Sequence, residues 1–327
     1  MSNRAATAGI GLARVLAHCG GDLAAAVHHL AGAIAAAPGA PEAYAALAEL
    51  REERRADLAE LLRGGGSLRT VLAHSYVSFL EADMDNAVMS LGSVTGAQPT
   101  IAWADAPWFT DPRFLGTVSA DALAEAVMRT TDHGHALDAP GTRDKLRPWF
   151  GAIDAVCARE PVAEAMARMA IFLRSCGLTD ASLDLCDRAD SVERTMLTEV
   201  VRAGTWRRLG DPERAAAAFG RALTLDPTNW SLHLDLADLR AEQGDFPAAA
   251  DLVLRGLAHE PAEVTLRAAR AAYSARATGS PDDLRELIAL APDLPKTPYR
   301  DVLIDHACAG PALPAGLIAE VRRFRSG

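Results

Sequence analysis

Two stretches of the chain, GDPERAAAAFGRALTLDP at 210–227 and GDFPAAADLVLRGLAHEP at 244–261, share one pattern at a fixed offset of 34 residues. Each opens on a Gly-Asp pair, continues with small and apolar residues at helical spacing, and closes on an acidic residue followed by Pro. Small residues allow helices to cross closely, and Pro ends a helix. The pattern therefore predicts antiparallel helix pairs repeated every 34 residues.

This repeat resembles the tetratricopeptide repeat, whose helix pairs stack into a superhelix. The family's pattern asks for Ala, an aromatic residue, Ala and Pro at fixed positions in the second half of each unit. The unit 196–229 fills them with Ala215, Phe219, Ala222 and Pro227. The resemblance implies an all-α, antiparallel helix-pair solenoid, here with an irregular central insert, whose usual role is to bind proteins.

The pattern extends in both directions. Units 163–195 and 230–263 flank 196–229, a degraded copy follows from 264, and another copy begins at Gly21-Asp22. We therefore predict four segments. They are N-terminal repeat-like helices at 1–63, a divergent central insert at 64–160, a C-terminal repeat array at 161–297, and a capping segment at 298–327 with a helix at 313–324.

The composition agrees with a helical protein. Half of the 327 residues are hydrophobic but only 5% are aromatic, so Ala, Leu and Val carry the core, as suits close helix packing. The formal net charge of −10 disfavours nucleic acid as a partner, because nucleic-acid binding depends on Lys and Arg neutralising phosphates. Arg strongly outnumbers Lys and Ala is abundant, which favours a GC-rich, actinobacterial-type bacterial genome.

The cysteines and the N-terminus suggest a cellular location. Five scattered cysteines form no Cys-x-x-Cys pair, as expected of reduced thiols. The sequence contains neither an apolar stretch long enough to span a membrane nor a recognisable signal peptide. We expect a cytoplasmic protein with no membrane partner.

The central insert interrupts the repeats. Glycines and prolines between residues 86 and 116 predict a mostly irregular stretch. Helices are predicted at 68–83, from a Ser119 cap to 131, and at 142–158, where Pro148 either kinks the helix or marks its start. Gly64-Gly65-Gly66 should stop the preceding helix, which is predicted at 54–63.

Four large rings lie within residues 101–114, here called the aromatic loop. They are Trp103, Trp108, Phe109 and Phe114. Such rings serve either as core residues that anchor the loop or as a hydrophobic surface for a partner, and the core interpretation is favoured because four exposed rings would promote aggregation. Under the second interpretation Trp103, Trp108 and Phe109 bind the partner.

The resemblance also implies groove residues on the first helix of each unit. Carried over position by position, they include Leu234 and three arginines, Arg174, Arg207 and Arg208, which would face Asp238 and Glu242. A guanidinium binds carboxylates at two points, so an acidic peptide segment or a chain terminus would be the matching ligand. The alternative is a solvated surface of mutually paired charges. Exposed repeat ends would also permit a homo-oligomer.

No motif supports catalysis. The sequence lacks Gly-x-Ser-x-Gly and His-Glu-x-x-His, and we predict no cofactor. His133, His135 and Asp138 are weak candidates for a metal site, but a helix C-terminus explains them as well. The prediction is a non-catalytic scaffold that binds a protein or peptide. The alternative is an enzyme or an enzyme accessory subunit with a small-molecule or metal site in the 80–140 region, using His133, His135, Asp83 or Asp105.

Overall fold

The computed structural model describes residues 2–17, 21–63 and 66–325, with side chains from residue 7 onward except that of Arg63. Cys19 and the first two glycines of the predicted stop at 64–66 lie outside these ranges. The described residues form α-helices and short 3₁₀ turns without any strand, which confirms the all-α prediction. By internal contacts the chain divides into two compact units, Met1–Val201 and Arg202–Gly327, and this division falls inside the predicted 161–297 array.

The N-terminal unit contains twelve of the described helices, most of them paired through short turns. They are α1 (Ser2–Val15), α2 (Leu23–Ala36), α3 (Pro41–Glu53), α4 (Arg55–Arg63), α5 (Leu68–Leu80), α6 (Met84–Ala97), α7 (Pro112–Thr117), α8 (Ala120–Thr131), α9 (Pro140–Lys145), α10 (Arg147–Arg159), α11 (Ala163–Ser175) and α12 (Thr179–Val192). Helix α13 (Met196–Arg208) begins in this unit and ends in the next.

The C-terminal unit continues the pairing. Its remaining helices are α14 (Pro212–Leu225), α15 (Trp230–Glu242), α16 (Phe246–His259), α17 (Val264–Thr278), α18 (Pro281–Leu290), α19 (Pro298–Cys308) and α20 (Ala315–Val321). A 3₁₀ turn, Arg322–Phe324, completes the helix that was predicted at 313–324.

The Gly-Asp pair builds the turn inside each helix pair. Gly210 has a φ of +75°, a left-handed conformation that Gly adopts without strain. The Asp211 N–H then donates back to the Trp206 carbonyl at 3.0 Å, and the Asp211 side chain accepts from the Arg214 N–H at 3.0 Å. One residue thus ends a helix while the next caps the following helix, which explains why this dipeptide recurs.

The same turn lies between α5 and α6, where the sequence predicted no repeat. Ala82 takes the left-handed position with a φ of +62°, and Asp83 donates to the Ser78 carbonyl at 2.9 Å and caps the Asn86 N–H at 3.2 Å. The rest of the unit also has the repeat spacing, with Ala87, Leu91, Val94 and Pro99 standing where Ala215, Phe219, Ala222 and Pro227 stand. Residues 68–101 therefore form a repeat-like unit, which was not recognised in the sequence because Ala82 stands where the other turns have Gly.

The expectation that 86–116 is mostly irregular is wrong, because α6 covers 86–97 and α7 covers 112–116. Helix α6 runs to Ala97, and Gly92 and Gly96 lie inside it. Both glycines face the main chain of α8, since a Cβ at Gly92 would lie 2.4 Å from the Ala126 carbonyl oxygen. These glycines allow close helix contact rather than a loop. Irregular backbone remains at 98–111, apart from the 3₁₀ turn Trp103–Asp105.

Other helix predictions for the insert are confirmed. Ser119 caps α8 by accepting from the Ala122 N–H at 3.1 Å, and α8 ends at Thr131 as expected. Leu146 separates α9 from α10, and Pro148 lies in the first turn of α10, so it marks the start of that helix.

The aromatic loop is packed into the N-terminal core. Trp103 and Trp108 are each 3% exposed, while Phe109 and Phe114 are fully buried. Phe109 also lies 4.7 Å, centroid to centroid, from the buried Trp149 ring. Rings buried to this extent offer a partner little surface, so the core interpretation describes them. Burial gives no support to a partner contact by Trp103 or Phe109, and Trp108 exposes only a small part of its side chain.

The four described cysteines, Cys157, Cys176, Cys186 and Cys308, are buried free thiols. Burial raises the pKa of the Cys157 thiol to about 11. Among the described residues, no helix is both long and apolar enough to cross a membrane.

Candidate functional site

Four helices of the C-terminal unit bring polar side chains together on one face. Arg207 lies at the end of α13, and α15 contributes Asp235, Asp238 and Glu242. Tyr273 from α17 and Tyr299 from α19 complete the set, which we call the polar cluster. All four elements are the first helices of their pairs, so the stacking of the repeats places these helices next to one another.

Asp238 is the centre of the polar cluster. Its Oδ1 accepts hydrogen bonds from the Tyr273 and Tyr299 hydroxyls, the second at 2.9 Å. Burial raises the pKa of the Asp238 carboxyl, and the two tyrosine hydrogen bonds act in the opposite direction. Burial and the neighbouring carboxylate also hold the pKa of Tyr273 far above its ordinary value, so Tyr273 remains a neutral donor.

Arg207 is bound within the polar cluster. Its Nε donates to Glu242 Oε2 at 2.9 Å, and its Nη2 contacts Glu242 Oε1, which gives a two-point ion pair. The hydrogen bond with Glu242 raises the pKa of Arg207 further. The two side chains are 38% and 50% exposed, so the pair lies at the edge of the surface.

Asp235 is the carboxylate without a dedicated donor. No hydrogen bond to it occurs among the described residues, although it is largely shielded from solvent. Burial and then repulsion from Asp238 raise its pKa to about 6, while Arg207 opposes the shift. With three carboxylates and one guanidinium, the ionised polar cluster is negative overall.

The structure brings some of the groove residues expected from sequence together and separates others from them. The structure brings Arg207, Asp238 and Glu242 together, whereas Leu234 is only 8% exposed and belongs to the apolar core. Arg174 lies in the N-terminal unit, where it donates to the Val201 carbonyl at 3.1 Å.

The predicted preference for an acidic ligand is not supported by these contacts. Arg207 is already paired with Glu242, and Arg174 and Arg208 both have partners of their own. An arginine engaged in this way has to lose an existing contact before it can bind an incoming carboxylate. The interpretation of mutually paired charges therefore describes Arg207.

Sequence reasoning missed Asp235, Tyr273 and Tyr299. Tyr299 lies two repeat lengths after Ser231, the second residue of the unit 230–263, so extending the 34-residue period past residue 297 would have placed it at the same position of a further unit. Tyr273 and Asp235 stand outside the family's groove positions. They join the polar cluster because their side chains reach the same carboxylate, Asp238.

The proposed metal candidates do not form a site. Within the part of the chain that the structure describes, no three His, Cys, Asp or Glu side chains converge on a possible metal position. His133 and His135 stack at 6.1 Å just after the end of α8, where Asp132 is the C-cap and Gly134 has a φ of +66°. These contacts support the helix-end interpretation of the segment.

Residues 207–273 match the tetratricopeptide repeat family. This match supports the resemblance seen in the sequence and covers every member of the polar cluster except Tyr299. Tetratricopeptide repeats generally serve protein interaction. No curated protein is significantly similar to the chain.

Several solved structures are similar in fold. A tetratricopeptide repeat protein from Parabacteroides merdae is 12% identical, with 98% of each chain covered and a TM-score of 0.42. A thermophilic TPR protein from Thermus thermophilus is 18% identical over 63% of this chain and 98% of its own, with a TM-score of 0.38. Identities and scores of this size carry no argument about function.

Proposed function

We propose that the chain is a non-catalytic scaffold that binds a protein or peptide partner through the polar cluster of its C-terminal unit. The observation that carries the proposal is Asp235, a shielded carboxylate beside Asp238 that has no hydrogen-bond donor among the described residues. Asp235 is half-buried and its oxygens are not fully enclosed, so a ligand can reach them. A ligand that supplies a donor would stabilise the ionised form.

The partner's contacting segment is proposed to be basic, which revises the acidic segment expected from sequence. Carboxylates outnumber guanidiniums in the polar cluster, and the one arginine is paired with Glu242. A Lys or Arg side chain of the partner would neutralise Asp235 and Asp238 together, and complementary charge also speeds encounter. Self-association remains a separate prediction.

Two labelled ten-residue peptides test the proposal. One carries lysines and the other glutamates at the same positions of a Gly-Ser background, and fluorescence anisotropy measures their binding to the full chain at low salt. We expect tighter binding of the lysine peptide, weakened roughly fivefold by Asp235→Asn, which is about 1 kcal/mol. Binding should also fall with added salt.

Asp251→Asn is the matched control, because Asp251 is exposed on α16 outside the polar cluster. It should leave the affinity for the lysine peptide unchanged. Stronger binding of the glutamate peptide, or equal affinities of Asp235→Asn and the unmodified chain for the lysine peptide, would sink the proposal.

A further inference from the structure

A pocket lies wholly within the N-terminal unit and is lined in part by the aromatic loop. It has a volume of about 240 Å³ and is lined by the rings of Tyr44, Tyr76, Phe79 and Trp108. Tyr44 and Tyr76 are 5.0 Å apart between ring centroids, and Phe79 and Trp108 are 5.5 Å apart. The volume lies below the ~300–1,000 Å³ of pockets for drug-sized ligands, so it suits one or two small side chains.

Two hydrogen-bond donors of this pocket have no acceptor within the described chain. Nearby aromatic donors do have acceptors. Trp103, outside the pocket, donates its indole N–H to the Gln98 carbonyl at 2.9 Å, and Tyr44 donates its hydroxyl to the Pro38 carbonyl at 2.9 Å. The Trp108 N–H and the Tyr76 hydroxyl have no such acceptor, and neither atom is buried. Trp108 is only 3% exposed and lines the pocket, so this N–H belongs to the small surface that it presents.

The charges at the rim of the pocket are satisfied by each other. Arg113 donates from Nε to Asp111 Oδ1 at 3.1 Å and from Nη2 to Asp111 Oδ2 at 2.9 Å. The same guanidinium lies 4.8 Å from the centroid of the Phe79 ring. Because this pair is neutral, the rim does not select an ionic ligand, and recognition falls to the rings and the two free donors.

We propose that this pocket binds a proline-containing peptide segment in the polyproline II conformation. Proline presents a flat apolar ring for the aromatic walls and a backbone carbonyl for the Trp108 and Tyr76 donors. It has no backbone N–H, so it brings no donor that the pocket would leave unsatisfied. Polyproline II segments are also extended before binding, which lowers the entropy lost on docking to aromatic grooves.

This site goes beyond the proposed function, since it uses another unit, other residues and another ligand chemistry. Fluorescein-labelled decaproline is the probe, and a labelled Gly-Ser peptide of the same length is the reference. Anisotropy titrations with the full chain should show saturable binding of decaproline and weaker binding of the reference. Tyr76→Phe removes one donor and keeps its ring, whereas Trp108→Phe removes the other donor and also replaces the indole with a smaller phenyl ring. Each should weaken decaproline binding about threefold or more.

Trp206→Phe, on α13 outside the pocket, is the matched control and should retain full decaproline affinity. Thermal unfolding of every variant checks that the fold is intact. If Trp108→Phe proves unstable, Tyr76→Phe decides alone, because Tyr76 is only partly buried. No saturable decaproline binding, equal binding of the Gly-Ser peptide, or full affinity in the folded donor variants would each overturn the proposal.

Discussion

The Tyr299 hydroxyl donates a 2.9 Å hydrogen bond to Asp238 Oδ1, which joins α19 to α15 across 61 positions of sequence. Tyr273 donates to the same oxygen from α17. Neutral donors therefore hold a carboxylate that is largely shielded from solvent, and Asp238 links three successive repeats.

Tyr299→Phe is expected to raise the pKa of Asp238. Burial already raises this pKa, and the variant removes one of the hydrogen bonds that lower it. Carboxyl chemical shifts followed by NMR through a pH titration would measure the change. Tyr44→Phe removes a hydroxyl that donates to a carbonyl at the same distance, 2.9 Å, and should leave Asp238 unaffected. A lower pKa in Tyr299→Phe would contradict the assigned role.

Asp235→Asn is expected to change how stability depends on pH. The pKa of Asp235 is raised from 3.8 to about 6 in the folded chain, so the folded state binds this proton more tightly than the unfolded state. The resulting stabilisation is complete below pH 3.8 and is lost as pH rises through about 6. Asparagine does not titrate, so the Asn variant does not lose this stability as the pH rises.

Urea unfolding at pH 4 and at pH 7 measures this effect. Relative to the unmodified chain, the free energy of unfolding of Asp235→Asn should be roughly 1 kcal/mol higher at pH 7 than at pH 4, so the variant is relatively more stable at pH 7. The exposed Asp251→Asn should show no such difference. An equal effect of Asp235→Asn at both pH values would argue against the shifted titration.

Glu242→Gln is expected to change ligand preference rather than stability. The Arg207–Glu242 pair is partly exposed, so its loss should cost less than about 1 kcal/mol. The variant releases the guanidinium from its carboxylate, and the glutamate peptide should then bind more tightly than it does to the unmodified chain. Anisotropy with the two labelled peptides measures this shift. Unchanged affinity for both peptides would mean that Arg207 does not face the ligand.

Ala82→Gly is expected to stabilise the chain. Ala82 holds a φ of +62°, which costs a non-glycine residue about 1–2 kcal/mol, while Gly loses about 0.5–1 kcal/mol of chain entropy. A net gain of roughly 0.5–1 kcal/mol should appear in urea unfolding. Ala217→Gly, at an exposed position inside α14, should instead destabilise by about 1 kcal/mol. A loss of stability in Ala82→Gly would show that the left-handed turn carries no strain.

Gly92→Ala is expected to destabilise by about 2–3 kcal/mol, because the new Cβ would lie 2.4 Å from the Ala126 carbonyl oxygen. Gly220→Ala makes the same change inside α14, where nothing lies within 4 Å of the added atom, and it should stabilise by up to about 1 kcal/mol. Thermal unfolding compares the two. Equal effects at the two sites would remove the close helix contact as an explanation.

Much of the fold could be predicted because Gly-Asp turns, and prolines that follow the end of a helix, are local signals. They located the C-terminal helix pairs, and Ser119 and Pro148 located helix starts in the insert. The unit 68–101 was not recognised as a repeat because Ala82 replaces the turn glycine, and because Gly92 and Gly96 suggested loops. The sequence alone could not distinguish a glycine that breaks a helix from one that lets two helices touch.

The candidate site was less predictable. Family positions located Arg207, Asp238 and Glu242, but the pairing of Arg207 depends on which side chains face each other across two repeats. Tyr273 was missed because its side chain reaches Asp238 from outside the groove positions, and Tyr299 was missed because the 34-residue period was not extended past residue 297. Burial of Trp103 and Phe109 likewise depends on long-range packing in the N-terminal core.

The close approach at Gly92 and Gly96 has a mechanical consequence. At Gly92 the nearest atoms of α8 are main-chain atoms of Ala126, and at Gly96 the nearest is the Arg129 carbonyl oxygen, so main chain faces main chain. Under tension or compression this junction should act as a stiff element, because main-chain atoms in contact cannot rearrange as side chains can. Elastic deformation of the N-terminal unit is then concentrated at helix contacts made by larger side chains.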